Sequence, residues 1–387
     1  MKEADIDADF YRRHLLVLIS RASELPGMVS TVFLYALHIV GLAIAALADV
    51  RPPVVVEFPS LLIDKHAELD SVQSMNEIMQ NFFAGSNSTT LERWYKALPT
   101  AEEKMQMKEL VADLLEADEF HNYDDLWFHK KYPKLAESMC MTILKKGQYV
   151  MVHERRTVTG KFARMWGYIV VANKRSFKRP IHHSAAHFQS DGDVCNEAAS
   201  VFEQTKSRTL VVAGASRYAV KGDNRSPCQK SYQIADAAHS CATMFQAMNL
   251  AVLSAVNRSD RAREDVFIQW HGMGEKSCSA SPVFISTGAH GMHPIYNITS
   301  IPANRLVSRL NLHMGQVVAH TPRTDSTCKL VATSNVFGRA IYGVPIESVC
   351  DTRAKDEDIT GHFVHIEQKR KFRDSWNVWA DVVNAVF

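Results

Sequence analysis

The sequence predicts an α/β protein, with a mixed β-sheet sandwiched by helices behind an N-terminal helical accessory region. Three observations predict it. Short β-rich runs recur from residue 149 onward, amphipathic helical repeats lie between them, and 387 residues at 46% hydrophobic content suffice for a substantial core. The organisation expected is residues 1–48 as an N-terminal extension plus signal peptide or signal anchor, residues 49–147 as the helical accessory region, and residues 148–387 as the α/β domain.

The first element is the apolar run Val29–Ala48, interrupted by His38 and ending Ala46-Leu47-Ala48 before Asp49. Small-x-small after an apolar stretch is the pattern a signal peptidase accepts, so the sequence predicts export with a mature start at Asp49. Met28 precedes the run and offers a translation start. If residues 1–27 are a cytosolic extension, the same 29–48 stretch is long enough to act as a single-pass membrane anchor. Asn-x-Ser/Thr sequons at Asn87, Asn224, Asn257 and Asn297 agree with an exported glycoprotein.

Residues from Asp49 to Lys146 read as mostly helical. Thr100-Ala101-Glu102-Glu103 is a capping box, in which hydroxyl and carboxylate satisfy exposed N–H groups reciprocally, and Met107, Leu110, Val111, Leu114 and Leu115 follow at helical spacing. Then the period changes. Tyr149–His153, Trp166–Ala172, Arg208–Ala213, Asp265–Trp270, Pro282–Ser286 and Gly361–Gln368 are strand-like. Helical faces lie between and after them: Val194, Ala198, Val201, Phe202 and Thr205; Ala237, Cys241, Met244, Phe245, Met248 and Val252; and a final helix with Trp376, Trp379, Val383 and Val386.

Forty-four basic residues against 42 acidic ones, with no long run of one sign, exclude a nucleic-acid groove and a polybasic membrane patch. Seven cysteines, none in a Cys-x-x-Cys pair, point to disulfides in an oxidising compartment rather than a zinc knuckle, and the odd count leaves at least one thiol free or paired with another chain. There is no Gly-x-Ser-x-Gly elbow, Walker loop or Gly-x-Gly-x-x-Gly after a strand. His153-Glu154 begins like a zinc helix, but Thr157 stands where the second histidine belongs.

The chemistry concentrates in histidines and carboxylates. His182, His183 and His187, followed by Asp191 and Asp193, occupy an expected strand-to-helix loop able to supply nitrogen and oxygen donors to zinc. The strand Asp265–Trp270 ends in His271-Gly272-Met273-Gly274, which puts a histidine where α/β sheets bind ligands. Glu367, in an apolar strand, is a carboxylate whose pKa desolvation raises into general-base range.

This series resembles the N-formylglutamate amidohydrolase group, whose core is related to the zinc carboxypeptidases. The resemblance spans residues 180–387. It is carried by Pro180-Ile181-His182-His183-Ser184 with Asp191, by Ser216-Arg217-Tyr218 with Asn224-Arg225, by Gln269-Trp270-His271-Gly272-Met273, and by His365-Ile366-Glu367-Gln368. The family's glycine after the first histidine segment is absent. The resemblance implies a zinc ion held by His183 or His187, by Asp191 and by His271, with Glu367 as base and Arg217 or Arg225 pairing with a substrate carboxylate. His239 either donates a hydrogen bond near the oxyanion or sits on a helix surface. The expectation is a secreted zinc-dependent hydrolase that cleaves an amide bond adjacent to a carboxylate in a small molecule or peptide. The alternative is a secreted or membrane-tethered binding protein on the same fold.

Overall fold

The computed structural model describes residues 71–155, 160–258 and 265–387. The 29–48 run, the Asp49 start and the whole of the expected N-terminal extension, residues 1–48, lie outside these residues. Among the described residues no helix is long and apolar enough to cross a membrane.

The described residues open with helices α1 (Val72–Gln80), α2 (Leu91–Ala97), α3 (Ala101–Glu116), α4 (Asp125–Lys131) and α5 (Pro133–Ala136). Side chains of Ser71, Thr90, Thr100 and Asp124 cap the first four, and the Thr100–Glu103 capping box forms in both directions. The sheet and remaining helices follow as β1 (Met139–Leu144), β2 (Tyr149–Glu154), β3 (Tyr168–Ala172), β4 (Arg179–Ala185), α6 (Val194–Thr205), β5 (Ser207–Val212), α7 (Met244–Val256), β6 (Val266–Gly272), β7 (Val283–Ser286), α8 (Pro302–Met314), β8 (Ala319–His320), α9 (Val336–Ile341), β9 (Phe363–Gln368), α10 (Arg370–Arg373) and α11 (Trp376–Val386).

The fold is α/β, and the described residues form a nine-stranded mixed sheet in the order β1-β2-β3-β5-β4-β6-β9-β7-β8. Strands β5, β4, β6 and β9 run parallel at its centre, while β1, β2 and β3 extend it antiparallel on one side and β7 pairs antiparallel with β9 on the other. The central strands are buried along almost their whole length, as parallel strands between helix layers must be.

From β4 the chain crosses through α6 to β5 on one side, and from β5 it returns through α7 to β6 on the other side of β4. Right-handed crossovers taken in opposite directions place α6 and α7 on opposite faces of the sheet. Helices α1, α6, α8 and α11 pack in one group, and α3 packs against α7 in the other. The reversal at β4 opens a crevice at the carboxyl ends of β4 and β6, where open α/β sheets receive ligands.

Three expectations are corrected. The helical run ends before residue 139, because Met139–Leu144 pairs with β2 as an edge strand. His182 and His183 belong to β4 itself rather than to a loop. The helix expected from Ala237 begins at Met244: the Thr243 side chain accepts from the Gln246 N–H as its cap, and Ala237–His239 is a separate 3-10 turn. Cysteines pair as Cys228–Cys350 and Cys278–Cys328, and Cys140, Cys195 and Cys241 are free.

Gly214, just beyond β5, lies so close to Gly167 that a Cβ at either position would collide with backbone of the other. Gly315, the left-handed residue ending α8 at φ 63°, has open space around it. Gly214→Ala should therefore cost about 3 kcal/mol through forced backbone movement. Gly315→Ala should cost only about 1 kcal/mol of left-handed strain. Urea unfolding of both variants checks this, and equal losses would contradict it.

Candidate metal centre

Four strand ends deliver the site. Beyond β4 the chain turns through His187 and Asp191; His271 is the penultimate residue of β6; Glu367 sits beside His271 in register on β9; and the segment after β5 carries Arg217. That segment is braced by residues 84–89, whose backbone bonds to it through Ala84 N–H to Gly214 O (2.9 Å), Asn87 N–H to Tyr218 O (2.8 Å) and Thr89 N–H to Ala219 O (3.0 Å).

His187 Nδ1, His271 Nδ1 and one oxygen of Asp191 converge. The separations are 2.9 Å from His187 Nδ1 to Asp191 Oδ2, 3.0 Å between the two Nδ1 atoms and 3.2 Å from His271 Nδ1 to Asp191 Oδ2. All three residues are buried. Tetrahedral zinc with bonds of about 2.0–2.2 Å separates its ligand atoms by about 3.3–3.6 Å, so the triangle needs only a slight expansion to hold such an ion.

The outer hydrogen bonds determine which ring nitrogens face the centre. Gly338 N–H donates to Asn335 Oδ1 at 2.9 Å, which orients the Asn335 amide so that its Nδ2 donates to Gln269 Oε1. Gln269 therefore presents an acceptor to His271 Nε2 at 2.9 Å. Nε2 carries the proton, and the Nδ1 lone pair points inward. His187 Nε2 likewise donates to Asp236 Oδ1 at 2.9 Å. A ring nitrogen tied to a carboxylate or amide oxygen while the other faces inward is the arrangement that supports a metal-binding histidine.

Charge follows the same geometry. Burial pushes the His271 pKa down to about 4, so that ring is neutral. Burial also opposes the His187 cation, but the charges of Asp236 and Asp191 outweigh it and lift His187 to about 9. Arg217 works against that proton, with Nη2 directed at the same Nδ1 and also donating to Asp191 Oδ1. Asp191 stays ionised, held well below the carboxylate range against its burial by His187 and Arg217. Without a metal His187 thus carries a proton beside the Arg217 cation, and binding a metal there would release that proton. Burial, aided by the charge of Asp191, raises the pKa of Glu367, whose Oε1 faces His365 Nε2 at 3.7 Å.

Of the two histidines left open for the first ligand position, His187 stands in the cluster and His183 does not. His183 is buried in the sheet core, its Nδ1 accepting from Trp270 Nε1–H at 3.0 Å and its Nε2 facing Ser207 Oγ at 2.9 Å. Arg217 borders the cluster, whereas Arg225 pairs at 2.8 Å with the exposed Asp223 in its own loop. His239 lies on the 3-10 turn next to Asp236 rather than on a helix surface, stacked on Tyr232 with Nδ1 2.8 Å from Gln229 Oε1. Asp236, Gln269 and Asn335 orient the ring nitrogens although no sequence motif marks them for that role. For Gln269 a signal existed, since it lies two residues before His271 and so on the same face of β6.

No family model matches the chain, and no curated protein matches it. Among solved structures, it aligns with the gene product Atu2144 of Agrobacterium tumefaciens at 10% identity, over 54% of this chain and 87% of that one, with a TM-score of 0.30. It aligns with LapA of Legionella at 10% identity, over 83% of this chain and 72% of that one, also with a TM-score of 0.30. Likeness at this level bears on neither fold nor chemistry.

His187→Ala should abolish stoichiometric zinc while the far sheet core stays intact. His183→Ala should keep the metal and lose about 3 kcal/mol, because a cavity opens in the sheet core and Trp270 N–H is left without its buried acceptor. Elemental analysis and urea unfolding on the same preparations check both. Zinc lost from His183→Ala but retained by His187→Ala would reverse the assignment.

Proposed function

We propose that the chain is an exported zinc-dependent hydrolase that cleaves an amide bond adjacent to a carboxylate, with an amidohydrolase or carboxypeptidase-like core. The observation that carries this reading is the convergence of two imidazole Nδ1 atoms on a buried carboxylate oxygen, at the carboxyl ends of parallel strands. His187, Asp191 and His271 would hold the ion. Zinc in that position supplies Lewis acidity toward a carbonyl oxygen and toward water.

The chain's own groups do the rest. Glu367, opposite His271 in the strand register, takes a proton from water and returns it to the leaving amine. Arg217, partly exposed at the edge of the cluster, pairs with a substrate carboxylate and fixes its orientation. Arg225, bound to Asp223 elsewhere, is set aside for that role. Asp236 and Gln269 keep the imidazoles in their binding tautomers. The two disulfides agree with passage through an oxidising compartment.

One observation favours the second reading, a non-catalytic binding protein. Arg217 already donates to Asp191 and His187, so the cluster can neutralise itself without a metal. Glu367→Gln separates the two. The amide keeps the shape but accepts no proton, so turnover of N-acyl amino acids or short peptides should fall by at least about 10²-fold. Zinc content and melting temperature should stay unchanged. A mutant that turns over its best substrate as fast as wild type would remove Glu367 from catalysis, and a wild-type chain with neither zinc nor turnover would favour the binding protein.

A further inference from the structure

Three sulfur atoms meet between the loop that follows β5 and the segment that follows α9. Cys228 and Cys350 are joined, and the free thiol of Cys241 lies with its Sγ 3.5 Å from Cys350 Sγ. The three sulfurs all lie within 4.8 Å of one another. They are half-buried against a small apolar cluster of Val336, Val344 and Val349. A thiol in contact with a disulfide sulfur is the starting arrangement for exchange, which proceeds by thiolate attack on one sulfur of the bond.

We propose that these cysteines form a thiol–disulfide exchange site in which Cys241 displaces Cys228 from Cys350. The Cys241 thiolate attacks Cys350 Sγ, the Cys241–Cys350 bond forms and the Cys228–Cys350 bond breaks. Cys228 leaves as a thiolate and takes up the proton that Cys241 gave up. One disulfide and one thiol stand on each side, so no external oxidant or reductant enters. Chain entropy does not choose between the two forms. The closed loops span 122 residues for Cys228–Cys350 and 109 for Cys241–Cys350, and loop-closure cost varies only with the logarithm of length.

The exchange moves an anchor across the segment that serves the metal centre. Cys228 precedes Asp236 and His239 in the chain, and Cys241 follows them. With Cys228 joined, Gln229 is held against the Cys350 and Ser334 carbonyls and faces His239. With Cys241 joined instead, the 228–232 stretch loses its covalent tie while the chain beside His239 gains one. The inference stands whether or not the cluster of His187, Asp191 and His271 carries a metal.

Tryptic mapping resolves the two forms, because Lys230 separates the cysteines into the peptides 226–230 and 231–258, while Cys350 lies in 340–353. The full-length protein is held at pH 8 without reductant, its thiols are blocked with N-ethylmaleimide, and it is digested without reduction. Both the 226–230/340–353 and the 231–258/340–353 linkages should appear, with the blocking group divided between Cys228 and Cys241. A single linkage, whichever it is, would overturn the proposal. Cys228→Ser should leave Cys241 and Cys350 joined to each other, and recovery of both as blocked thiols in that variant would also overturn it. If the variant does not fold, the wild-type map decides alone.

Discussion

The structure around the site depends on one buried charge, the carboxylate of Asp191. An ionised carboxyl group out of water is tolerated only with compensating donors. Here they come from three chain segments: His187 in its own loop, the Gly272 N–H at the end of β6, and Arg217 after β5. Arg373 fixes the same loop by donating to the Asp191 backbone carbonyl at 2.9 Å. Glycine is required at 272, since a Cβ there would collide with that carbonyl and with the Arg373 guanidinium. Compensation of this one charge draws together the ends of strands far apart in sequence.

The sheet makes the meeting possible. Reversal of strand order at β4 leaves the carboxyl ends of β4 and β6 uncovered by a crossover, and β9 adds Glu367 beside them. The helical region that precedes the sheet takes part as well, because its 84–89 segment fixes the backbone that presents Arg217. The orienting residues are more dispersed still. The tautomer of His271 depends, through Gln269 and Asn335, on the backbone N–H of Gly338 in α9.

Half of this was legible in the sequence, for identifiable reasons. The strand before His271 and the strand around Glu367 are built on apolar residues (Val266, Phe267, Ile268 and Trp270; Phe363, Val364 and Ile366), so they read as strands from pattern alone. Strand β4 was hidden. Its Arg179-Pro180 start and two consecutive histidines carry neither alternation nor an apolar run, yet the strand is buried on both faces, with His182 tied to Thr209 and Asp265 and His183 tied to Trp270 and Ser207. That concealment left the choice between His183 and His187 open. Asp236 escaped notice because its local role, accepting from Ala238 N–H at the head of a short turn, masks its long-range one with His187. Contacts between residues 49 positions apart leave no periodic trace.

The central claim is that His187, Asp191 and His271 bind the metal through nitrogen and oxygen. X-ray absorption at the zinc edge, on the full chain loaded with one equivalent of zinc, tests it most directly. The account predicts a shell of nitrogen and oxygen at about 2.0–2.2 Å with an imidazole scattering pattern from two histidines. A sulfur shell at about 2.3 Å would contradict it, by moving the ion to the cysteines of the 228, 241 and 350 cluster.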